Sequence, residues 1–267
     1  MTTLLLVHAH PDDECIATGG VMLSAHREGI RVVLLTATRG EEGDIHNMDA
    51  DAVRPRLGEV RTEELMRSCA ILGVDRQEFL GYRDSGMAGA PSNDDPRSFH
   101  AAPLEEAAER VATILREERP DVVVTYTPDG TYWHSDHVKA HVTTFAALDL
   151  THAEGWSPAK AYMHAVPRSA VLGIEQRARE SGAVLPIEVG QIVGIPDEEI
   201  TTDVDVSPCF EQKRAAFLAH LSQYEPDSPF STIAAQIFEA TLGLERFILA
   251  RGALGEPRPE SSLFAGL

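Results

Sequence analysis

The chain lacks any apolar run long enough to span a bilayer, any cluster of lysines or arginines, and any internal repeat. A membrane helix needs about 20 consecutive apolar residues, so a spanning segment is excluded. Basic residues are scarce throughout. Across 267 residues, 23 Lys+Arg stand against 42 Asp+Glu, a formal net charge of −19. That field repels phosphate backbones and anionic lipid, so no nucleic-acid partner and no membrane partner are expected. Cysteine is rare too: Cys15, Cys69 and Cys209 are scattered, and none lies in a CxxC pair. An odd, dispersed set argues against a disulfide framework and suits a reducing compartment. The first ten residues carry no basic segment ahead of an apolar stretch, so no secretory signal is expected and a cytoplasmic location follows by elimination. What remains is a composition of 43% apolar and 24% charged residues, ordinary for a globular protein with a substantial core.

The apolar pattern alternates between two periods. Residues 3–9, 31–37 and 121–127 are short, partly β-branched apolar runs, the mark of strands buried on both faces, and residues 78–82 are expected to form a further strand. Between them, residues 21–28, 56–72, 103–118 and 134–150 carry apolar residues at helical spacing. This alternation predicts an α/β fold: a Rossmann-like, mainly parallel sheet with helices on both faces. Residues 83–100, crowded with Gly, Pro, Ser, Asn and Asp, are expected to form a long ordered loop. Past residue 150 the pattern loosens. Strands are expected over 160–166 and, at an edge, 200–206. A helix is expected over 209–221, a loop over 222–231, and a last helix near 232–251. The domain expectation is one unit over 1–251, with a core of about 1–166, a C-terminal extension of about 167–251, and a tail over 252–267 that frays.

In an open parallel sheet, ligands gather beyond the carboxyl ends of the strands. Three polar clusters fall there: His8-Ala9-His10-Pro11-Asp12-Asp13-Glu14, Thr38–Asp44, and Thr131-Tyr132-Trp133-His134-Ser135-Asp136-His137. His10 and Asp13 flank a tight turn and could aim at one point, with His137 as a third donor from the other cluster. Two imidazoles, one carboxylate and an open position make the pattern of a catalytic rather than a structural zinc site. Asp12 is then spare beside the ion. A carboxyl with an ordinary pKa of ~3.9 cannot by itself activate bulk water, whereas zinc lowers the pKa of a water from 15.7 to ~7. His134 could protonate or hydrogen-bond the group attacked, and Asp136 could orient an imidazole. Taken singly, HPDD could be a turn and HSDH a helix N-terminus. Their joint placement on one rim favours a metal, and spacing leaves Fe2+ or Mn2+ open beside Zn2+.

His10-Pro11-Asp12-Asp13, the loop Gly40–Gly43 and His134-Ser135-Asp136-His137 resemble the LmbE/PIG-L family of metal-dependent de-N-acetylases. The likeness extends to the actinobacterial mycothiol-type enzymes through residues 7–14, 83–89 and 120–137, and more weakly through Ala219-His220-Leu221-Ser222-Gln223. The resemblance implies a hydrolase that removes an N-acetyl or small N-acyl group from an amino-sugar-containing small molecule. It implies His10, Asp13 and His137 as zinc ligands, Asp12 as general base, and His134 as oxyanion stabiliser or acid tuned by Asp136. It places Tyr132 near the carbonyl, and Arg61 and Asp84 at the sugar hydroxyls. Ser135 departs from the family's usual proline, and Thr131 and Trp133 from its commoner glycines, which bears on substrate identity.

Glu41 reads as a substrate contact or a solvated acid, and His220 as a residue leaning over the pocket or packed in the core. His141 reads as a satisfied or surface histidine, and His8 as core or as a support for the site. Two alternatives stand beside the deacetylase: an amidase of mycothiol-type thiol conjugates or a deacylase of a secondary metabolite, and a non-catalytic nucleotide-binding protein. The last is disfavoured because the first strand is followed by HPDDE rather than GxGxxG. A homo-oligomer is compatible with all of these.

Overall fold

The computed structural model describes residues 1–181, 192–224 and 243–267. Among these residues the strands form a seven-stranded sheet, in the order β3-β2-β1-β4-β5-β7-β6. The strands are β1 (Thr3–His8), β2 (Arg31–Thr36), β3 (Arg76–Phe79), β4 (Val122–Tyr126), β5 (Lys160–His164), β6 (Thr202–Asp205) and β7 (Leu244–Arg251). The first five pair in parallel, and β7 runs antiparallel to both of its neighbours.

Every residue of β1 is buried, because alternate side chains serve opposite layers. Leu4 and Leu6 face the helices α2 (Gly19–Arg27), α4 (Leu57–Leu72) and α9 (Phe210–Leu218), among Met22, Leu65 and Phe217. Leu5 and Val7 face α5 (Leu104–Glu118) and α7 (Ser135–Ala153), against Val111, Leu115 and Leu148. Each such side chain is worth about 1.5–3 kcal/mol when fully buried, so a continuous apolar run is what this position requires. The shorter helices are α1 (Asp13–Ala17), α3 (Ala50–Val53), α6 (Gly130–Trp133) and α8 (Arg168–Ser181). The long loop after β3 is anchored by buried Ser85, Ser98 and Phe99.

Three sequence expectations need correction. Strand β3 begins two residues earlier than expected. The last helix expected near 232–251 does not reach its end: residues 244–251 form β7, and residues 232–242 lie outside the described ones. The inward face of β7 carries Glu245 beside Phe247, so a buried polar residue hid the two-residue period. Finally, the tail over 252–267 is packed rather than frayed. Glu260 is fully buried and accepts hydrogen bonds from Lys160 Nζ, Tyr162 Oη and Thr202 Oγ1, while Leu263 joins the core. Among the described residues, no helix is long and apolar enough to cross a membrane.

Candidate metal centre and the residues around it

The site forms where β1 and β4 end. His10 and Asp12 follow β1, Asp13 opens α1, and His134, Asp136 and His137 begin α7. Three donor groups converge: His137 Nε2 is 3.3 Å from His10 Nδ1, and Asp13 oxygens lie 3.4 Å from each of those nitrogens. Donors about 2.0–2.1 Å from a tetrahedral ion stand about 3.3 Å from one another, so this spacing fits one small divalent cation.

The outer atoms of the rings fix which nitrogen faces inward. His137 Nδ1 donates to Gly130 O at 3.1 Å, which leaves Nε2 with its lone pair. A Cβ on Gly130 would stand 2.6 Å from His137 Cβ at a φ of +59°, so this approach needs glycine. His10 Nε2 donates to Asp136 Oδ2 at 3.2 Å, with Asp84 Oδ1 3.5 Å away, and so Nδ1 is the free donor. Burial draws the His10 pKa down, but Asp84, Asp13 and Asp136 outweigh it and hold the pKa well above the ordinary value. Carboxylates crowded around one imidazole are the electrostatic complement of a cation.

His134 plays a different part. Its Nδ1 accepts the backbone N–H of Asp136 at 3.2 Å, so its Nε2 carries the ring proton. Burial and the neighbouring His10 and His137 rings push its pKa down to about 2, so the ring is a neutral donor. Tyr132 packs edge-on against His137, with ring centroids 4.9 Å apart. Asp12 has an unusual backbone, with φ at 104°. Burial, opposed by Arg61 and reinforced by Asp13, raises its pKa to about 6, close to what a proton acceptor at neutral pH needs.

Several expected roles are relocated. The Asp136 carboxylate faces His10 and accepts from Ser85 N at 2.9 Å and from Ser85 Oγ, so it braces His10 rather than His134, which it meets only through its backbone. Arg61, 3% exposed, spends its guanidinium on Gly40 O, Pro11 O and, at 3.1 Å, Asp12 Oδ2. Asp84, likewise 3% exposed, accepts from Glu42 N and Gly86 N. Here both hold the site's own loops instead of facing an open pocket. His220 does not lean over the pocket. It is fully buried, with Nε2 2.8 Å from Glu14 Oε1, because it lies just past the end of α9, the helix that packs against α1. Of the four expected substrate contacts, Glu41 alone stands partly open, on the wall of a cleft of about 340 Å³ with Arg54, Leu57 and Arg83. His141 Nδ1 donates to Tyr126 O at 2.8 Å, and His8 hydrogen-bonds Thr18 and Tyr126.

Sequence reasoning missed Tyr126. Its hydroxyl donates to Asp13 Oδ2 at 2.7 Å and accepts from Ala9 N at 2.9 Å, and its ring stacks on His137 with centroids 4.3 Å apart. The available signal was its place as the last residue of β4, at the rim where ligands collect. Ser85, under the Asp136 carboxylate, was missed as well.

The PIG-L family model, described as GlcNAc-PI de-N-acetylase, matches residues 5–148. A 1D-myo-inositol 2-acetamido-2-deoxy-alpha-D-glucopyranoside deacetylase from Acidothermus cellulolyticus is 42% identical, covering 99% of this chain and 95% of the relative. Its namesake from Thermomonospora curvata is 43% identical, with 99% and 96% coverage. Among solved structures, the N,N'-diacetylchitobiose deacetylase from Pyrococcus horikoshii is 20% identical with a TM-score of 0.60, covering 93% of this chain and 83% of that one. A 4-carboxy-2-hydroxymuconate hydratase from Pseudomonas putida KT2440 is also 20% identical with a TM-score of 0.63, covering 96% and 99%. Those two likenesses establish the fold, and their differing chemistries show that the fold alone does not set the reaction. On the family match and the near-full-length relatives, the chain belongs to the PIG-L (LmbE-like) family of de-N-acetylases.

Proposed function

We propose that this chain is a metal-dependent hydrolase that removes the N-acetyl group from an amino sugar joined to a small polyol, the class named for its Acidothermus and Thermomonospora relatives. One observation carries the reading: His10, Asp13 and His137 offer three donors 3.3–3.4 Å apart, next to the half-buried carboxyl of Asp12. Two nitrogens and one carboxylate oxygen suit Zn2+, and Fe2+ or Mn2+ accept the same set. An ion held there supplies a Lewis acid that lowers the pKa of water to ~7 and polarises the acyl carbonyl.

The side chains then divide the work. Asp12 accepts the proton of the attacking water, with Arg61 fixing one of its oxygens. His134, protonated on Nε2, donates to the carbonyl oxygen as negative charge develops there, with Tyr132 beside it. Asp12 returns the proton to the leaving nitrogen as the C–N bond breaks, and the acid's remaining proton passes to the amine, giving acetate and the ammonium form of the sugar. Glu41 and the cleft beside it take part of the sugar or its polyol. Three unpaired, buried cysteines support a reducing, cytosolic setting for this chemistry.

The test pairs metal analysis of protein purified without added zinc with an assay on N-acetylglucosaminyl-inositol beside a mycothiol S-conjugate. The expected result is one divalent ion per chain and acetate release from the first substrate. Asp12→Ala keeps the ion and loses turnover by about a hundredfold or more, whereas His137→Ala loses the ion. Full activity of Asp12→Ala removes the base assignment. Cleavage of the conjugate alone turns the reading to the amidase.

A further inference from the structure

Asp12 stands with φ at 104° and ψ at −30°, a conformation that a residue with a side chain holds only when its surroundings fix it. Its own side chain makes no cap to α1. What fixes the peptide is Glu14. The Asp12 N–H donates to Glu14 Oε2 at 2.8 Å, and the other carboxylate oxygen, Oε1, accepts from His220 Nε2 at 2.8 Å and from Ser68 Oγ at 2.6 Å. Glu14, Ser68 and His220 are all fully buried. The His220 segment is in turn tied to the loop after β2: His46 N donates to Ser222 O at 2.8 Å, and Gln223 Nε2 to Asp44 O at 3.1 Å. On the opposite face of the segment, Ser222 N and Oγ donate to the two oxygens of Glu64 at 2.8 and 2.7 Å.

We infer that Glu14 and His220 are positioning residues for the reaction: the C-terminal segment, acting through this buried pair, holds the Asp12 peptide in its strained turn and so sets where the base's carboxylate stands. The inference rests on the reading of Asp12 as the base. Both are fully buried and stand outside the proposed ligand set of His10, Asp13 and His137. Without Glu14 the strained turn would relax toward ordinary backbone angles and swing the carboxylate away, and displacements of about 1 Å at a reacting group cost about a hundredfold in rate.

The experiment measures His220→Gln and Ser68→Ala in the full chain. Read together are kcat and KM on N-acetylglucosaminyl-inositol, metal content, thermal midpoint, and hydrogen exchange of the segment over residues 8–16. His220→Gln is expected to lower kcat at least tenfold with KM within threefold, keep one ion per chain, and speed exchange of that segment. Ser68→Ala, which takes one bond from Glu14 and keeps the fold if His220→Gln does not, is expected to lower kcat severalfold in the same pattern. In an Asp12→Ala background, His220→Gln should bring no further loss, since both changes disable one device. Losses that multiply, or wild-type kcat with unchanged exchange in both variants, overturn the proposal. Exchange reports the clamp even if the wild-type protein releases no acetate, a result that instead overturns the substrate reading.

Discussion

At the scale of single residues, the site is built by assigning each ring nitrogen a partner. Gly130 O and Asp136 occupy the outer nitrogens of His137 and His10, leaving two lone pairs pointed at one place. The backbone N–H of Asp136 does the reverse to His134, occupying Nδ1 and leaving the ring proton on Nε2. Tyr126 completes this set by holding Asp13 Oδ2. Tyr126→Phe removes that donor and leaves the Ala9 N–H unpaired. It is expected to weaken metal affinity about 10- to 100-fold and to lower stability by about 1–3 kcal/mol, checked by competition with a chelator and by urea unfolding. The ligand and base candidates could be singled out in the sequence because His and Asp are rare in apolar strand ends. Their supports could not. Nothing in the spacing of Asp84, Asp136 or His220 tells how deep each lies or which imidazole it meets, and those are facts of packing between distant segments.

At the scale of elements, the first two thirds of the chain were legible because strands β1, β2 and β4 are buried on both faces and therefore carry continuous apolar runs at their centres. The period failed where an element spends an inward position on charge. In β7, Glu245 accepts from Gly20 N at 2.7 Å, Val21 N at 2.8 Å and Lys213 Nζ at 2.6 Å, so it caps α2 from the opposite end of the chain. That closeness constrains Gly20 itself, since a Cβ there would stand 2.3 Å from Val206 Cβ. Gly20→Ala is expected to destabilise the fold by about 1–3 kcal/mol through overpacking. The measurement is the urea midpoint, and an unchanged midpoint would mean that α2 and the Val206 segment can part without cost.

At the scale of the whole molecule, the extension and tail are fastened to the core by charges removed from water. Lys160 and Glu260 pair at 2.5 Å with both side chains almost wholly buried. Such a pair adds little over an apolar replacement, but losing one partner strands the other, at a cost of about 3–5 kcal/mol. Glu260→Ala is therefore expected to lower the unfolding free energy by about that amount and to open the last residues to protease, whereas the double change Lys160→Met with Glu260→Leu should recover only the part due to the stranded lysine charge, because Tyr162 Oη and Thr202 Oγ1 lose their acceptor in both. Both are read by denaturant unfolding and limited proteolysis.

The placement of β7 between β5 and β6 has a consequence for how the molecule is made. During synthesis β5 and β6 both precede the strand that lies between them, so the edge of β5 stays unpaired until β7 emerges. An open parallel edge is a template for strangers. The exposure to misassembly is therefore concentrated in the interval between the emergence of β5 and that of β7.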